Sequence, residues 1–147
     1  MTAPTVALAL RAAMLDGIET FMVVGSGQAT LTVYQGNTSL CVFNLGASST
    51  GTPFGSGTSD TLALSSTLSA PVSNTGTSVA GTANRFVVTN QNSATALSGT
   101  ISAVGGGGCI EVPSVSVTAS TTQYLNSFVL RMASDGSLTV QASLTLL

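Results

Sequence analysis

The sequence predicts an all-β fold, a jelly-roll-like antiparallel β-sandwich with one N-terminal α-helix. Residues 5–22 carry apolar side chains at the three-to-four spacing of a helix face. From residue 29 onward, short runs rich in Val, Thr, Leu and Phe alternate with Gly, Asn, Asp and Ser, as in strands joined by tight turns. The 147 residues fit a single domain. We therefore expect an arm at residues 1–4, a helix at 5–22 and a β-sandwich at 29–147.

The helix prediction includes a start, a stop and a buried face. Thr5 can act as the N-cap, and the glycines of Gly25-Ser26-Gly27 are typical of a helix end. Arg11 and Asp16 are expected on the side opposite Leu10 and Met14. We expect the following apolar positions to face the core: Val6, Leu10, Met14, Ile18 and Phe21.

Nine runs have the composition of β-strands. They are residues 29–34, 39–45, 61–66, 77–81, 85–90, 96–103, 110–119, 123–132 and 137–146. In the last run apolar and polar residues alternate, which indicates a half-buried antiparallel sheet. Gly-rich turns between this many strands favour a sandwich or jelly roll, and an up-and-down barrel is the alternative because strand order cannot be read from the sequence.

Two connections stand out by composition. Residues 46–59 are a Gly/Ser/Thr stretch with one aromatic residue, Phe54. This stretch is either a flexible arm or a surface loop that Phe54 anchors in the core, and we favour the anchored loop. Residues 105–108 are four glycines, which predict a turn or a hinge-like linker.

The charge content limits the possible partners. Charged residues make up 5% of the chain, against about 25% in an ordinary soluble domain, so we expect a neutral surface of Ser, Thr, Asn, Gln and Gly. Three arginines, no lysine and a net charge of -2 do not form the basic patch that binds nucleic acid. Arg11, Asp16 and Glu19 interrupt the longest apolar stretch, so neither a membrane span nor a secretory leader is expected. We expect the chain to fold where it is made.

The reactive side chains do not form a catalytic pattern. Histidine and lysine are absent, and the five carboxylates lie in separate elements, so we expect no enzyme and assign no catalytic residue. Cys41 and Cys109 either form a disulfide or stay reduced, and we favour the reduced state. They lack companion ligands for zinc, so we assign no metal site. The glycine run leads into a strand rather than a helix, unlike a phosphate-binding loop, and we expect no cofactor.

Several segments, taken in order, resemble a known family of virion proteins. After the helix and its Gly25-Ser26-Gly27 end, the matching segments are LTVYQG at 31–36, residues 40–45, PFG at 53–55, AGTANRFVV at 80–88, LSGTIS at 97–102, the glycines at 105–108, VSVTA at 115–119 and NSFVL at 126–130. Their succession over residues 5–131 resembles the jelly-roll capsid cement or decoration proteins of tailed bacteriophages, such as that of Bordetella phage. The chain departs from this family at residues 132–147, where an Asp135-Gly136 turn and another strand follow.

The resemblance implies a structural protein on the outer surface of an icosahedral head, assembled in the host cytoplasm. Its implied partners are the major capsid protein, which it bridges, and a second copy of itself in a homo-oligomer, expected to be a dimer. The implied contact residues lie in the N-terminal arm and the long loop: Thr2, Ala3, Pro4, Thr5, Pro53 and Phe54. A neck, tail or fibre-base virion protein is the alternative, and a carbohydrate-binding β-sandwich module is a more distant one.

Overall fold

A computed structural model describes residues 4–47, 54, 60–64 and 71–147. These residues form one α-helix, α1 (Leu8–Met22), and eleven β-strands. The strands are β1 (Gln28–Gln35), β2 (Thr38–Ala47), β3 (Thr61–Ala63), β4 (Val72–Thr75), β5 (Gly81–Thr82), β6 (Arg85–Thr89), β7 (Thr95–Ala103), β8 (Ile110–Val112), β9 (Ser116–Val117), β10 (Tyr124–Met132) and β11 (Leu138–Thr145). The predicted fold class, all-β with one N-terminal helix, is confirmed.

The described strands are organised around one curled sheet. Its order is β11-β10-β4-β2-β1-β6-β7-β8, β3 pairs separately with β10, and β5 pairs with β9 in a small second sheet. Strand β1 lies between β2 and β6, and β4 lies on the other side of β2. The outer strands β8 and β11 lie next to each other without a ladder between them. The sheet therefore curls back on itself into a sandwich-like fold, and its inner face encloses the core.

Phenylalanine rings occupy the centre of the core. Phe43, Phe54, Phe86 and Phe128 are fully buried or nearly so. Phe128 on β10 lies between two of the others, with ring centroids 5.9 Å from Phe54 and 6.5 Å from Phe86. Such tilted and edge-to-face pairs contribute roughly 0.5–1.5 kcal/mol each beyond the burial of their area. These contacts join β6, β10 and the segment before β3.

The structure corrects two strand predictions. Residues 77–80 are not a strand: Gly76, at a φ of +69°, ends β4, and the buried hydroxyl of Ser78 then bonds to the carbonyls of Thr118 and Thr121. Strand β4, just before this segment, is absent from the prediction. The predicted strand at 110–119 is divided into β8 and β9, because Pro113 has no N–H to continue the ladder.

The predicted alternation of the last strand is confirmed over most of its length. Every second residue of β11 from position 139 is polar and exposed, while the apolar residues between them are partly or fully buried. Leu144 is the most deeply buried of these apolar residues. Leu138 is the exception, because it lies exposed at the start of the strand.

The helix differs from its prediction at the start and in its orientation. It begins at Leu8, and its N-cap is Ala7, which makes no side-chain capping bond, so the prediction of Thr5 as the N-cap was wrong. The backbone N–H of Val6 instead donates to the carbonyl of Ser134 at 2.6 Å. The buried helix positions are Leu15 and Met22.

The orientation of α1 follows from a charged side chain that points inward. Arg11 is largely buried and donates to the carbonyl of Met132 at 3.3 Å. Because Arg11 faces the sheet, the neighbouring side of the helix with Leu10, Met14 and Phe21 is turned outward, and all three side chains are exposed. The prediction that these three residues face the core was wrong, whereas Ile18 is partly buried against the core as predicted.

Candidate interaction surface

The predicted contact residues of the N-terminal arm lie at the edge of the described chain. Thr2 and Ala3 are outside the described residues, and Pro4 and Thr5 are exposed. The bond from Val6 to Ser134 fixes the point at which this segment meets the turn between β10 and β11. An interface role for the arm stays a prediction.

The two predicted contact residues of the long loop have different outcomes. Pro53 lies outside the described residues. Phe54 is fully buried, contacts Phe128 and forms an isolated antiparallel bridge with Leu64. The anchoring of this loop by Phe54 is therefore confirmed. Its ring packs within the chain's own core and is not displayed to a neighbour.

Three charges that are distant in the sequence meet beside the helix. Oδ2 of Asp60 lies 3.6 Å from Nη1 of Arg11 and 3.3 Å from Nε of Arg131. The backbone adds a bond from the Met132 N–H to the Asp60 carbonyl at 2.9 Å. The sequence does not reveal this cluster because its members lie in three different parts of the chain. It ties α1 to β10 and to the start of β3.

The glycine run forms a turn around a carboxylate. Gly105 and Gly107 donate their N–H groups to the two carboxylate oxygens of Glu111, at 3.2 and 2.8 Å. The bond from Gly105, followed by that from Gly107, lowers the pKa of Glu111 below its ordinary value. Gly108 donates to the hydroxyl of Ser102 at 2.9 Å. These amides are engaged by groups of the chain itself, and the turn prediction is confirmed.

Two further charges have partners within the fold. The guanidinium of Arg85 stacks 4.4 Å above the ring of Tyr34 and donates to the carbonyl of Gly36 at 2.6 Å. Asp135 accepts bonds from the hydroxyl and N–H of Ser137, and these bonds, the hydroxyl first, lower its pKa. The few charges of this chain are thus used largely within its own fold.

The two cysteines are free thiols in different environments. Cys41 on β2 is buried, and desolvation raises its pKa to about 12. Cys109 is exposed, and bonds from the backbone and then the hydroxyl of Thr100 lower its pKa. The Thr100 hydroxyl lies 3.7 Å from the Cys109 sulfur. The reduced state favoured from the sequence agrees with this arrangement.

Two clefts lie away from the helix. A polar one of about 200 Å³ lies between residues 74–78 and 120–122. A more apolar cleft of about 360 Å³ lies where the sheet edges approach each other. Its apolar lining includes Phe86, Leu97, Leu138 and Val140, with Cys109 at its side.

An apolar strip runs along the outward side of α1. We define it as Leu10, Met14, Gly17 and Phe21. The three side chains are 54%, 44% and 40% exposed in that order. Beside it, a groove of about 310 Å³ lies between the helix and the start of β7, lined by Met14, Gly17, Ile18, Phe21, Thr95 and Ala96. The sequence contains the spacing of the strip, but spacing alone does not show that the strip faces outward.

The turn between β6 and β7 holds the helix end that carries the strip. Asn90 donates its side-chain amide to the Phe21 carbonyl, and Gln91 donates its N–H to the Met22 carbonyl, both at 3.3 Å. The oxygen of the Asn90 side chain accepts the N–H groups of Asn92 and Ala94 at 2.9 Å each. These bonds satisfy carbonyls at the helix end and fix Phe21 relative to the sheet.

Three general indicators of function give no assignment for this chain: a metal site, a membrane-spanning helix and similarity to known proteins. Among the residues that the structure describes, no three His, Cys, Asp or Glu side chains form a group that could hold a metal ion. No helix in the described ranges is long and apolar enough to cross a membrane. The chain matches no protein-family model, no curated protein and no solved structure.

Proposed function

We propose that the chain is a non-catalytic structural protein that binds neighbouring protein subunits, as a decoration or cement protein on a bacteriophage head. The observation that carries the proposal is the apolar strip on α1, which lies beside an otherwise charge-poor surface. Neighbouring apolar side chains exposed together on a protein surface often mark a protein contact. The proposed partners are the major capsid protein and a second copy of the chain.

The test is to purify particles that contain the chain and to count its copies against the most abundant shell subunit by mass spectrometry. If the chain is a cement protein, we expect its copy number to be comparable to that of the most abundant shell subunit. A few copies per particle would favour the neck, tail or fibre-base alternative, and absence from every particle would contradict a virion role.

Salt provides a second test of the same proposal. Screening acts on charges, and the proposed contacts are apolar or neutral hydrogen bonds. We expect binding to shells to change less than about threefold between low and moderate NaCl, since few ion pairs are involved. Release of the chain by moderate NaCl alone would count against the proposal.

The polar cleft is the place to test the carbohydrate-binding alternative. Its lining includes the hydroxyl residues Thr77, Ser120 and Thr122, whereas the side chains of Asn74 and Ser78 bond within the chain. Saturable binding of a sugar that is lost in Thr122→Ala would favour that alternative over a shell protein.

A further inference from the structure

Arg85 differs from the other two arginines of the chain in its electrostatic surroundings. Arg11 and Arg131 both contact the carboxylate of Asp60, whereas no carboxylate of the described residues lies at ion-pair distance from Arg85. The four neighbouring strands β2, β1, β6 and β7 contain no charged residue other than Arg85. Its positive charge is therefore unbalanced on a neutral part of the sheet.

The guanidinium of Arg85 is held in one orientation. Tyr34 lies directly opposite Arg85 in the ladder between β1 and β6, so the two side chains share one face of the sheet. This is the outer face, because Val33 and Phe86, the next residues along the two strands, are fully buried on the other face. The guanidinium stacks 4.4 Å above the Tyr34 ring, and its Nε donates to the Gly36 carbonyl at 2.6 Å. A side chain fixed in this way loses less rotamer freedom on binding a partner.

Two side-chain amides are oriented by the same turn between β1 and β2. Oδ1 of Asn84 accepts the N–H of Gly36 at 3.0 Å, and Oε1 of Gln35 accepts the N–H of Thr82 at 2.9 Å. Both Asn84 and Gln35 are exposed. Because the oxygen of each amide is engaged, the NH2 group is the end that stays available.

The polar groups that stay available at this turn are hydrogen-bond donors. They are the Nη groups of Arg85 and the NH2 groups of Asn84 and Gln35, none of which bonds to another residue in the described ranges. An ionised carboxylate only accepts hydrogen bonds, and its two oxygens match the planar edge of a guanidinium. Binding to a phosphate backbone needs several cations, whereas this part of the sheet has one. The composition therefore favours a single carboxylate.

We propose that Gln35, Asn84 and Arg85 form a binding site for a carboxylate, which an acidic side chain of a partner protein supplies. The inference rests on the proposed function in that it names the chemistry of one contact with a neighbouring subunit. The site itself needs no particle, so it can be tested on the isolated chain. One ion pair in the contact is compatible with the weak salt dependence expected for binding to shells.

The experiment is an NMR titration of the isotope-labelled chain, whose three arginines give three Nε–H signals. The probe is N-acetylglutamate α-amide, which carries one carboxylate, at constant ionic strength. We expect a saturable shift of the Arg85 signal and of the side-chain amide signals of Asn84 and Gln35, half complete at roughly 10 mM. The Arg131 signal should shift far less, because Arg131 is already paired with Asp60. N-acetylglutamine α-amide is the neutral control and should cause no saturable shift.

Asn84→Asp tests the arrangement of the donors. The variant keeps an oxygen that can accept the Gly36 N–H, but it places a carboxylate of the chain itself beside Arg85. We expect it to weaken binding of the probe at least about tenfold. Asn92→Asp, at an exposed position on another turn, makes the same change in net charge and should leave the titration unchanged. Circular dichroism of both variants checks that the fold is kept.

Three results would overturn the inference. The first is an Arg85 signal that shifts no more than the Arg131 signal, or that shifts equally with the neutral control. The second is an undiminished titration in Asn84→Asp. The third is tighter binding of inorganic phosphate than of the carboxylate probe at equal ionic strength, which would assign the site to phosphate.

The particle assay separates this inference from the proposed function. If the probe binds at Arg85 and the chain is found in no particle, the carboxylate site stands and the virion role fails. If the chain is abundant in particles and the probe does not bind at Arg85, the virion role stands and the carboxylate site fails.

Discussion

The carboxylate of Asp60 joins the helix to the sheet, with 3.6 Å between its Oδ2 atom and Nη1 of Arg11. The Arg11 side chain is 15% exposed and that of Asp60 is 22% exposed, so water screens the pair only in part. Asp60 also contacts Arg131, whose side chain is 53% exposed. The same carboxylate thus has one sheltered partner and one exposed partner.

We expect Asp60→Asn to lower the free energy of unfolding by about 1–3 kcal/mol, because it leaves the mostly buried Arg11 without its counter-ion. Urea unfolding at a low protein concentration measures this change. Arg131→Gln is the comparison and should cost less than about 1 kcal/mol, since its pair is exposed. Equal losses in the two variants would contradict the assignment of the helix contact to Arg11.

Phe54 gives a prediction about the long loop. Phe54→Ala should cost about 3–5 kcal/mol, because it removes a buried ring that packs on Phe128 and leaves a cavity. Thermal and urea unfolding measure the loss. Val104→Ala, at a largely exposed site, is the control and should stay within about 0.5 kcal/mol of the parent. A Phe54→Ala chain of unchanged stability would show that the ring does not anchor the loop in solution.

The hydrogen bonds to the Glu111 carboxylate predict that the stability of the fold depends on pH. Its folded pKa is below the ordinary value, because Gly105 and then Gly107 donate to the charged carboxylate. Its contribution is therefore present above the unfolded pKa of about 4.3 and is lost as the pH falls through the lower folded pKa.

The measurement is the unfolding midpoint in urea between about pH 2.5 and pH 7. Glu111→Gln should remove part of the decline at acid pH and should be less stable than the parent at neutral pH. Asp135→Asn offers a parallel case, since the bonds from Ser137 lower the pKa of Asp135. A Glu111→Gln chain with the parent's full acid decline would count against the carboxylate turn.

The two thiols should react at different rates. Cys109 is exposed with a lowered pKa, whereas Cys41 is buried with its pKa raised to about 12. Because the thiolate is the reactive form, we expect Ellman's reagent to modify one thiol in the native chain and both in urea. Cys109→Ser should lose the fast reaction. Rapid modification of Cys41 in the native Cys109→Ser chain would contradict its burial.

The elements of this fold are easier to predict from the sequence than their arrangement. The spacing in α1 and the apolar runs of β1, β6 and β10 depend on neighbours in the sequence, and these elements lie within a few residues of the predictions. The inward turn of Arg11 depends on Asp60, which is distant in the sequence, so the periodicity of α1 alone could not show which face is buried. Strand order cannot be predicted for the same reason, since β6 pairs with β1 although β2 to β5 separate these two strands in the sequence.

The sequence does not predict the candidate interaction surface. Phe54, expected both as the anchor of its loop and as a contact residue, is buried in the core as an anchor. The strip on α1 is visible as a pattern, but Leu10, Met14 and Phe21 have the same spacing whether their partner is the chain's own sheet or another molecule. Only the position of Arg11 distinguishes these cases.

The contact between Arg11 and Met132 also bears on the order of events during synthesis. The two residues are 121 positions apart, and ribosomes add roughly 5–20 residues per second. The helix therefore emerges seconds before the strand on which it docks. During that interval the face of α1 that contains Leu15 and Met22 lacks the sheet on which it packs, which makes the nascent α1 a candidate for chaperone binding before the β10 strand is complete.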